Sequence, residues 1–182
     1  MNPSKKGASV ITEVPGSGGI KVSYRIGNGY DVHPLHQDLN LVLGGVEIPF
    51  EKGLAGHSDA DVLTHAVIDA LLGAASLGDI GTHFPAGNDK YKDISSLILL
   101  ENVLSLLQQE RFEIVNIDSI VVLQRPRLSS YIKEMRQNLA HVLRIETGLV
   151  SVKATTTERL GFAGREEGVS AYAVALIRRR DE

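Results

Sequence analysis

The sequence predicts a two-layer sandwich, α/β or α+β, with helices packed on one face of a sheet. Two observations carry this. Stretches with a two-residue or continuous β-branched apolar pattern alternate along the chain with stretches of helical period. The chain has 182 residues, 43% hydrophobic and 23% charged, which suits one globular domain with a real core.

The elements follow in order. The opening stretch MNPSKKGASVITEVPGSGGI is rich in Ser, Gly and Pro and lacks the apolar core of a secretory signal. It reads as a flexible lead-in over residues 1–21, either a transit remnant or a leader added for expression, ahead of a single domain at 22–182. Val22, Tyr24 and Ile26 alternate within residues 21–31, the period of a half-buried strand. Leu41 to Leu43 and Val46 to Ile48 flank Gly44-Gly45, which predicts a hairpin. Ser58 followed by Asp61 approaches a capping box, and Val62, Ala66 and Ala70 continue at helical spacing, predicting a helix over 59–72. A second helix is expected over 95–110 on Leu97, Leu100, Val103, Leu104 and Leu107. A third is expected over 129–143 on Ile132, Met135, Leu139 and Val142. Residues 117–123 are β-branched and continuous and read as a buried strand. Residues 150–154 and 170–177 supply two more strands.

Several functions are excluded. No run of about 18 apolar residues exists to span a bilayer. A net charge of -3 without a basic stripe argues against nucleic acid as the main partner. With no Cys there is no disulfide, no thiolate metal site and no Cys nucleophile, so any metal must be held by His and carboxylate.

One constellation meets that requirement. Asp31 and His33, two apart on a strand, share a face. His65, on the first predicted helix, can be laid against the strand end. Two imidazoles and a carboxylate suit a zinc-like ion and leave a position open for water or substrate. The bland alternative is that D-x-H arises by chance and that His65 is an ordinary core or surface histidine.

Three segments then decide between these: RIGNGYDVHPL at 25–35, GHSDADVLTHAVIDALLGAASLGDIGTHFP at 56–85, and KATTTERLGFAGREEG at 153–168. Together they resemble the 2-C-methyl-D-erythritol 2,4-cyclodiphosphate synthase family, with the likeness running from about Tyr24 to Ile177. The resemblance implies a small α+β sandwich with a mixed, mainly four-stranded sheet covered by helices on one face and assembled as a homotrimer. It implies intramolecular phosphoryl transfer on a cytidine diphosphate substrate, releasing CMP. By the same resemblance, Asp31, His33 and His65 hold Zn2+, and Glu158 holds Mg2+ or Mn2+ between the two phosphates. His57 and Thr156 steady the transition state, and Ser58 joins the anion site or is a plain N-cap.

Asp79, Ile80 and Gly81 match positions that touch the methylerythritol, although Gly81 alone could be a turn glycine. Phe84 opens the loop over the substrate. Leu123, Gln124, Arg125, Pro126, Arg127 and Leu128 match the loop whose backbone reads cytosine; Arg125 and Arg127 need be no more than solvated. Thr155, Thr156 and Thr157 offer hydroxyls to phosphate, though a Thr run is more often β-propensity. Phe162 and Arg165 match positions near the trimer axis, where an isoprenoid diphosphate binds. The implied active site is shared, with the metal triad from one subunit and the Thr-rich segment from its neighbour. The implied compartment is the bacterial cytoplasm or, as an alternative, the plastid stroma.

The chain departs from the family at FPAGNDKYKD, residues 84–93, where Ala86 and Asn88 stand in place of the acidic residues of a stretch such as F-P-D-T-D-P. That puts the loop's closing contacts, not the metal ligands, in question. His83 reads as a loop residue, His36 and His141 as ordinary surface or partly buried groups, and Lys153 and Arg159 as solvated. Two rival functions remain at this point: a metal-dependent phosphatase or pyrophosphatase, and a non-catalytic trimer binding isoprenoid diphosphates.

Overall fold

In the computed structural model, which describes residues 23–179, twelve elements follow one another. They are β1 (Tyr24–Gln37), β2 (Leu41–Leu43), β3 (Val46–Ile48), β4 (Lys52–Leu54), α1 (Val62–Ala75), α2 (Ile80–His83), α3 (Ser96–Gln109), β5 (Phe112–Val122), α4 (Ile132–Leu143), β6 (Val150–Thr155), α5 (Gly161–Gly164) and β7 (Gly168–Arg179). Single 3-10 turns occur at Asp89–Tyr91 and Thr147–Leu149. The lead-in expected over 1–21 lies outside the described residues.

The main sheet is mixed, in the order β4-β1-β7-β5-β6. Only β5 and β6 run parallel; the other neighbours are antiparallel. Four strands were expected, and the fifth is β4, a three-residue edge paired with Leu35 to Gln37 at the end of β1. β2 and β3 form their own hairpin, and Gly44 and Gly45 both take the positive φ that a two-residue turn of this hand requires. Helix α1 packs on β1 and β7, α3 on α1 and β5, and α4 on α3 and β6, giving the α+β layering.

What lets α1 lie so close is the face beneath it. Gly27 and Gly29 of β1 pair with Ala175 and Ala173 of β7, so the surface under the helix is nearly free of side chains. Along that face a two-residue strand step of about 6.7 Å keeps pace with a four-residue helix step of about 6 Å. Gly27 therefore lies against Ala70 and Ala74, and Gly29 against Ala66 and Ala70. One further step brings Asp31 to His65. Helix α1 is buried on almost every side, from Leu63 and Ile68 to Leu71 and Leu72, and forms the centre of the core.

Several expectations are corrected. The period in β1 is right, but its apolar residues are on the open face: Ile26 is 71% exposed and Tyr24 57%, while Gly27 and Gly29 are buried. The glycines, not the large side chains, meet the helix. Val22 lies outside the described residues. The first helix begins at Val62 and ends at Ala75, not over 59–72, and its N-cap is Asp61, whose carboxylate accepts from Thr64 N at 3.0 Å. Ser58 therefore caps nothing, and His57 and Ser58 stand in the loop before the helix. β5 is longer than expected and alternates: Ile117, Ser119 and Val121 are buried and Asp118 is exposed. The third helix starts at Ile132, after a turn over 129–131. The short elements β4, α2 and α5 were not anticipated.

Candidate metal centre and nucleotide pocket

Asp31 and His33 leave β1 on its helix-facing side, and His65 comes down from the first full turn of α1. Asp31 Oδ2 lies 2.9 Å from His65 Nδ1 and 3.0 Å from His33 Nε2, and the two ring nitrogens are 3.2 Å apart. His33 Nδ1 is 2.8 Å from the Ala55 carbonyl, which can only accept, so Nδ1 carries the proton and the neutral ring turns its Nε2 lone pair into the cluster. Gly56 makes this possible: a Cβ there would lie 2.8 Å from His33 Cε1. His65 Nε2 meets Ser96 Oγ at 2.8 Å and Ser58 Oγ at 3.0 Å.

Burial opposes the charged form of Asp31, yet the hydrogen bonds that the charged His33 and His65 rings donate outweigh it and hold the carboxyl well below the usual range. Burial likewise works against a charged His33, but the hydrogen bond and charge of Asp31 raise it above 6.5. Both directions record how strongly this triangle attracts positive charge. Three ligand atoms of the right chemistry, all within 4.8 Å of one another, fit a divalent ion of the zinc type.

Around this centre, the backbone of α2 holds the Asp79 to Gly81 turn. Asp79 caps α2 through Thr82 N at 2.8 Å, and Ile80 N donates to Asp69 Oδ1 at 2.8 Å. Gly81 is exposed. His83 is the last residue of α2 rather than a loop residue, and its Nε2 donates to the Leu77 carbonyl. Phe84 packs edge-on against Tyr91, and the departing loop folds toward His57, whose Nε2 donates to the Asn88 carbonyl at 3.1 Å. The Asn88 side chain caps the 3-10 turn through Lys90 N.

A second concavity, of about 580 Å³, is lined by Leu123, Gln124, Pro126, Arg127, Leu128, Thr155 and Thr156 among others. Leu123 and Leu128 are buried in the core at the floor of this hollow. Leu123 N donates to the Thr155 carbonyl and Arg159 N to Gln124 Oε1, so the loop and the Thr-rich segment are tied together. Thr156 Oγ1 donates to Glu158 Oε1 at 2.8 Å, and Thr157 Oγ1 donates to the Leu160 carbonyl. Arg125 is not free in solvent: it bonds both carboxylate oxygens of Glu166 and reaches Glu51. Lys153 is likewise paired, with Asp118. Arg127 and Arg159 are exposed, as are His36 and His141. Phe162 stands over a hollow of about 190 Å³ with Tyr30 and Tyr172, and Arg165 is paired with Glu167.

The metal cluster and the Thr-rich segment do not meet within one chain. Val32, Ser170, Val122 and Thr155 are consecutive partners across β1, β7, β5 and β6. Three strand spacings put Thr155 roughly 14 Å from β1. Among the described residues no hydrogen bond or ion pair joins Thr156 or Glu158 to the cluster.

With this geometry in hand, comparison with known proteins is decisive: residues 24–178 match the sequence profile of the YgbB family. The chain belongs to the YgbB family. A relative from Syntrophomonas wolfei, named 2-C-methyl-D-erythritol 2,4-cyclodiphosphate synthase, is 63% identical over 153 residues, covering 84% of this chain and 98% of that protein. One of the same name from Chlorobium phaeobacteroides is 61% identical, covering 84% and 97%. Among solved structures, the bifunctional IspDF of Campylobacter jejuni superposes with a TM-score of 0.85 at 41% identity; the match covers 88% of this chain but only 44% of that longer one. The IspF of Plasmodium falciparum, solved as a CDP complex, gives 0.76 at 34% identity, covering 87% and 97%.

Sequence reasoning missed three participants in this YgbB-family site: Asp59, Ser96 and Asp69. Asp59 lay within the quoted GHSDADVLTH stretch. Ser96 and Asp69 gave no local signal, because only the fold carries α3 to His65 and α2 to α1.

Proposed function

We propose that this chain converts 4-diphosphocytidyl-2-C-methyl-D-erythritol 2-phosphate to 2-C-methyl-D-erythritol 2,4-cyclodiphosphate with release of CMP. The observation that carries the reading is the convergence of Asp31, His33 and His65 on one point, in a chain whose relatives bear the synthase name. An oxygen of the 2-phosphate attacks the β-phosphorus. The bond from that phosphorus to the bridging oxygen breaks, and CMP leaves with the oxygen. No water is consumed and no side chain becomes covalently attached.

Zn2+ held by Asp31, His33 and His65 would supply positive charge and polarisation to the diphosphate, and Mg2+ or Mn2+ held by Glu158 would supply further neutralising charge. The residues of the chain align and neutralise. His57 and the Thr156 hydroxyl are assigned to the charge that develops on the transferring group. Ser58, beside His65, borders the same anion. Asp79, Ile80 and Gly81 hold the methylerythritol, and Phe84 fixes the root of the covering loop. The hollow formed by Leu123 to Leu128 with Thr155 and Thr156 takes the cytidine, largely through backbone groups, while Thr157 braces the segment that carries Glu158.

The working unit in this reading is a homotrimer with shared sites. The uncovered sheet face supports it, since Ile26, Tyr30, Val32, Tyr172 and Val174 are exposed side by side. The roughly 14 Å between β1 and Thr155 supports it too, because it leaves each half-site in need of the other half from a second copy. An isoprenoid diphosphate at the axis would rest on Phe162 and would have to draw Arg165 away from Glu167. No described helix is long and apolar enough to cross a membrane; with bacterial relatives, the cytoplasm is the proposed compartment.

Phosphorus NMR of the substrate with protein, zinc and magnesium tests the reading. A cyclic diphosphate and CMP that vanish with chelator are expected. Inorganic phosphate or pyrophosphate without the cyclic product would instead make the chain a hydrolase, and unchanged substrate would make it a binding protein.

A further inference from the structure

We propose that Ser96 and Asp59 are positioning residues for the metal centre, fixing His65 in the tautomer and ring orientation that turn its Nδ1 lone pair toward Asp31 and His33. This deepens the reading that the triad holds zinc, and rests on it.

The argument follows the protons. A carboxylate only accepts, a hydroxyl has one proton to give, and a neutral imidazole has one N–H. Ser96 Oγ donates to Asp59 Oδ1 in a short bond, and Ser96 N donates to Asp59 Oδ2 at 3.0 Å, so both Ser96 donors are spent on one carboxylate. Ser96 Oγ is thereby left as an acceptor, 2.8 Å from His65 Nε2. A proton is therefore held on His65 Nε2, and Nδ1, 2.9 Å from Asp31 Oδ2, is the nitrogen left to a metal ion. Ser58 Oγ is also near Nε2, at 3.0 Å, but among the described residues its other hydrogen-bond partners are Ala60 N and Ser96 Oγ, at 3.3 Å. With no carboxylate behind it, the Ser58 hydroxyl can turn either way and does not impose a tautomer.

The chain Asp59–Ser96–His65 is buried where it matters: Ser96 is 0% exposed and His65 8%. A carboxylate behind a ligating histidine, here relayed by one hydroxyl, is the general way in which a protein orients a metal-binding imidazole. Asp59 also fastens the start of α3, because Ser95 at the N-cap makes no side-chain bond of its own. The first turn of α3 and the metal ligand on α1 are held by the same carboxylate.

The test is the His65 tautomer, read by 15N NMR, together with zinc affinity, read by competition with a chromophoric chelator. In the zinc-loaded wild type, His65 is expected with Nε2 protonated and Nδ1 on the metal; a ring with its proton on Nδ1 and Nε2 bare would overturn the proposal without any variant. Ser96→Ala keeps the backbone bond to Asp59 and removes the relay. Asp59→Asn keeps the shape but turns an amide donor toward Ser96 Oγ, which sends the serine proton to His65. Both are expected to weaken zinc binding roughly 10–100-fold and to raise the share of the Nδ1–H form, whereas Ser58→Ala changes neither by as much. Wild-type zinc affinity in Ser96→Ala and Asp59→Asn would refute the relay. His65→Ala separates the two claims: if it retains wild-type zinc binding, the triad reading itself fails.

Discussion

A Cβ on Gly29 would stand 2.0 Å from the carbonyl oxygen of Ala66, so β1 and α1 approach more closely than any side chain at that position permits. Asp31 is the next inward residue on the strand, and His65 adjoins Ala66 on the helix. Gly29→Ala is therefore expected to push α1 away from the sheet. Overpacking of this kind costs about 1–3 kcal/mol, measurable by urea unfolding, and zinc affinity should fall in the protein that remains folded. Unchanged stability and zinc binding would show that the glycine face does not set the metal geometry.

Asp61 ties three elements together from a fully buried position. Its Oδ1 accepts from Gly44 N at 2.9 Å and Thr64 N at 3.0 Å, and its Oδ2 from Gly45 N at 2.8 Å and Thr64 Oγ1 at 2.7 Å. Asn in its place turns an N–H toward two of these donors. Leaving buried donors unsatisfied costs about 1–3 kcal/mol each, so Asp61→Asn should lower the thermal midpoint by several degrees. Calorimetry of the purified variant checks this.

The bond between Arg125 and Glu166 gives a pH dependence. The Arg125 guanidinium holds the Glu166 carboxyl below its ordinary 4.5. A depressed carboxylate contributes stability that is present above 4.5 and lost as pH falls through the lower folded value. Amide exchange over residues 123–128, taken relative to its intrinsic rate at each pH, should therefore speed up as the pH drops below about 4.5, the ordinary value for Glu. In Glu166→Ala it should already be fast at neutral pH, with CDP bound several-fold more weakly in a calorimetric titration.

The shared-site proposal predicts complementation. His33→Ala and Glu158→Gln should each be inactive alone. Mixed after partial unfolding and refolding, they should regain a measurable fraction of activity, because some interfaces then join an intact triad to an intact Glu158. If every mixture stays inactive while mixed trimers form, both halves of the site belong to one chain.

How much of this was legible in the sequence depends on the range of the interaction. The Gly44-Gly45 hairpin and the apolar faces of α3 and α4 are local, and the sequence shows them. Asp31 and His33 were legible through strand period and His65 through its motif, since each needs only its own element to be placed. The face of β1 was not legible: Tyr24 and Ile26 keep a two-residue period that looks like burial, yet Gly27 and Gly29 are the buried residues because α1 requires their emptiness. Ser96 and Arg125 were misjudged or missed for a related reason. Their partners, Asp59 with His65 and Glu166, lie 31 to 41 residues away, and no local rule joins them.

The most direct test of the central claim is to measure bound zinc and cyclic diphosphate formation on the same samples of wild type, Asp31→Asn, His33→Ala and His65→Ala, all confirmed as folded. The account predicts that zinc occupancy and cyclisation fall together in each variant, with the wild type holding one zinc per chain. A variant that has lost its zinc and still forms the cyclic product at the wild-type rate would contradict it.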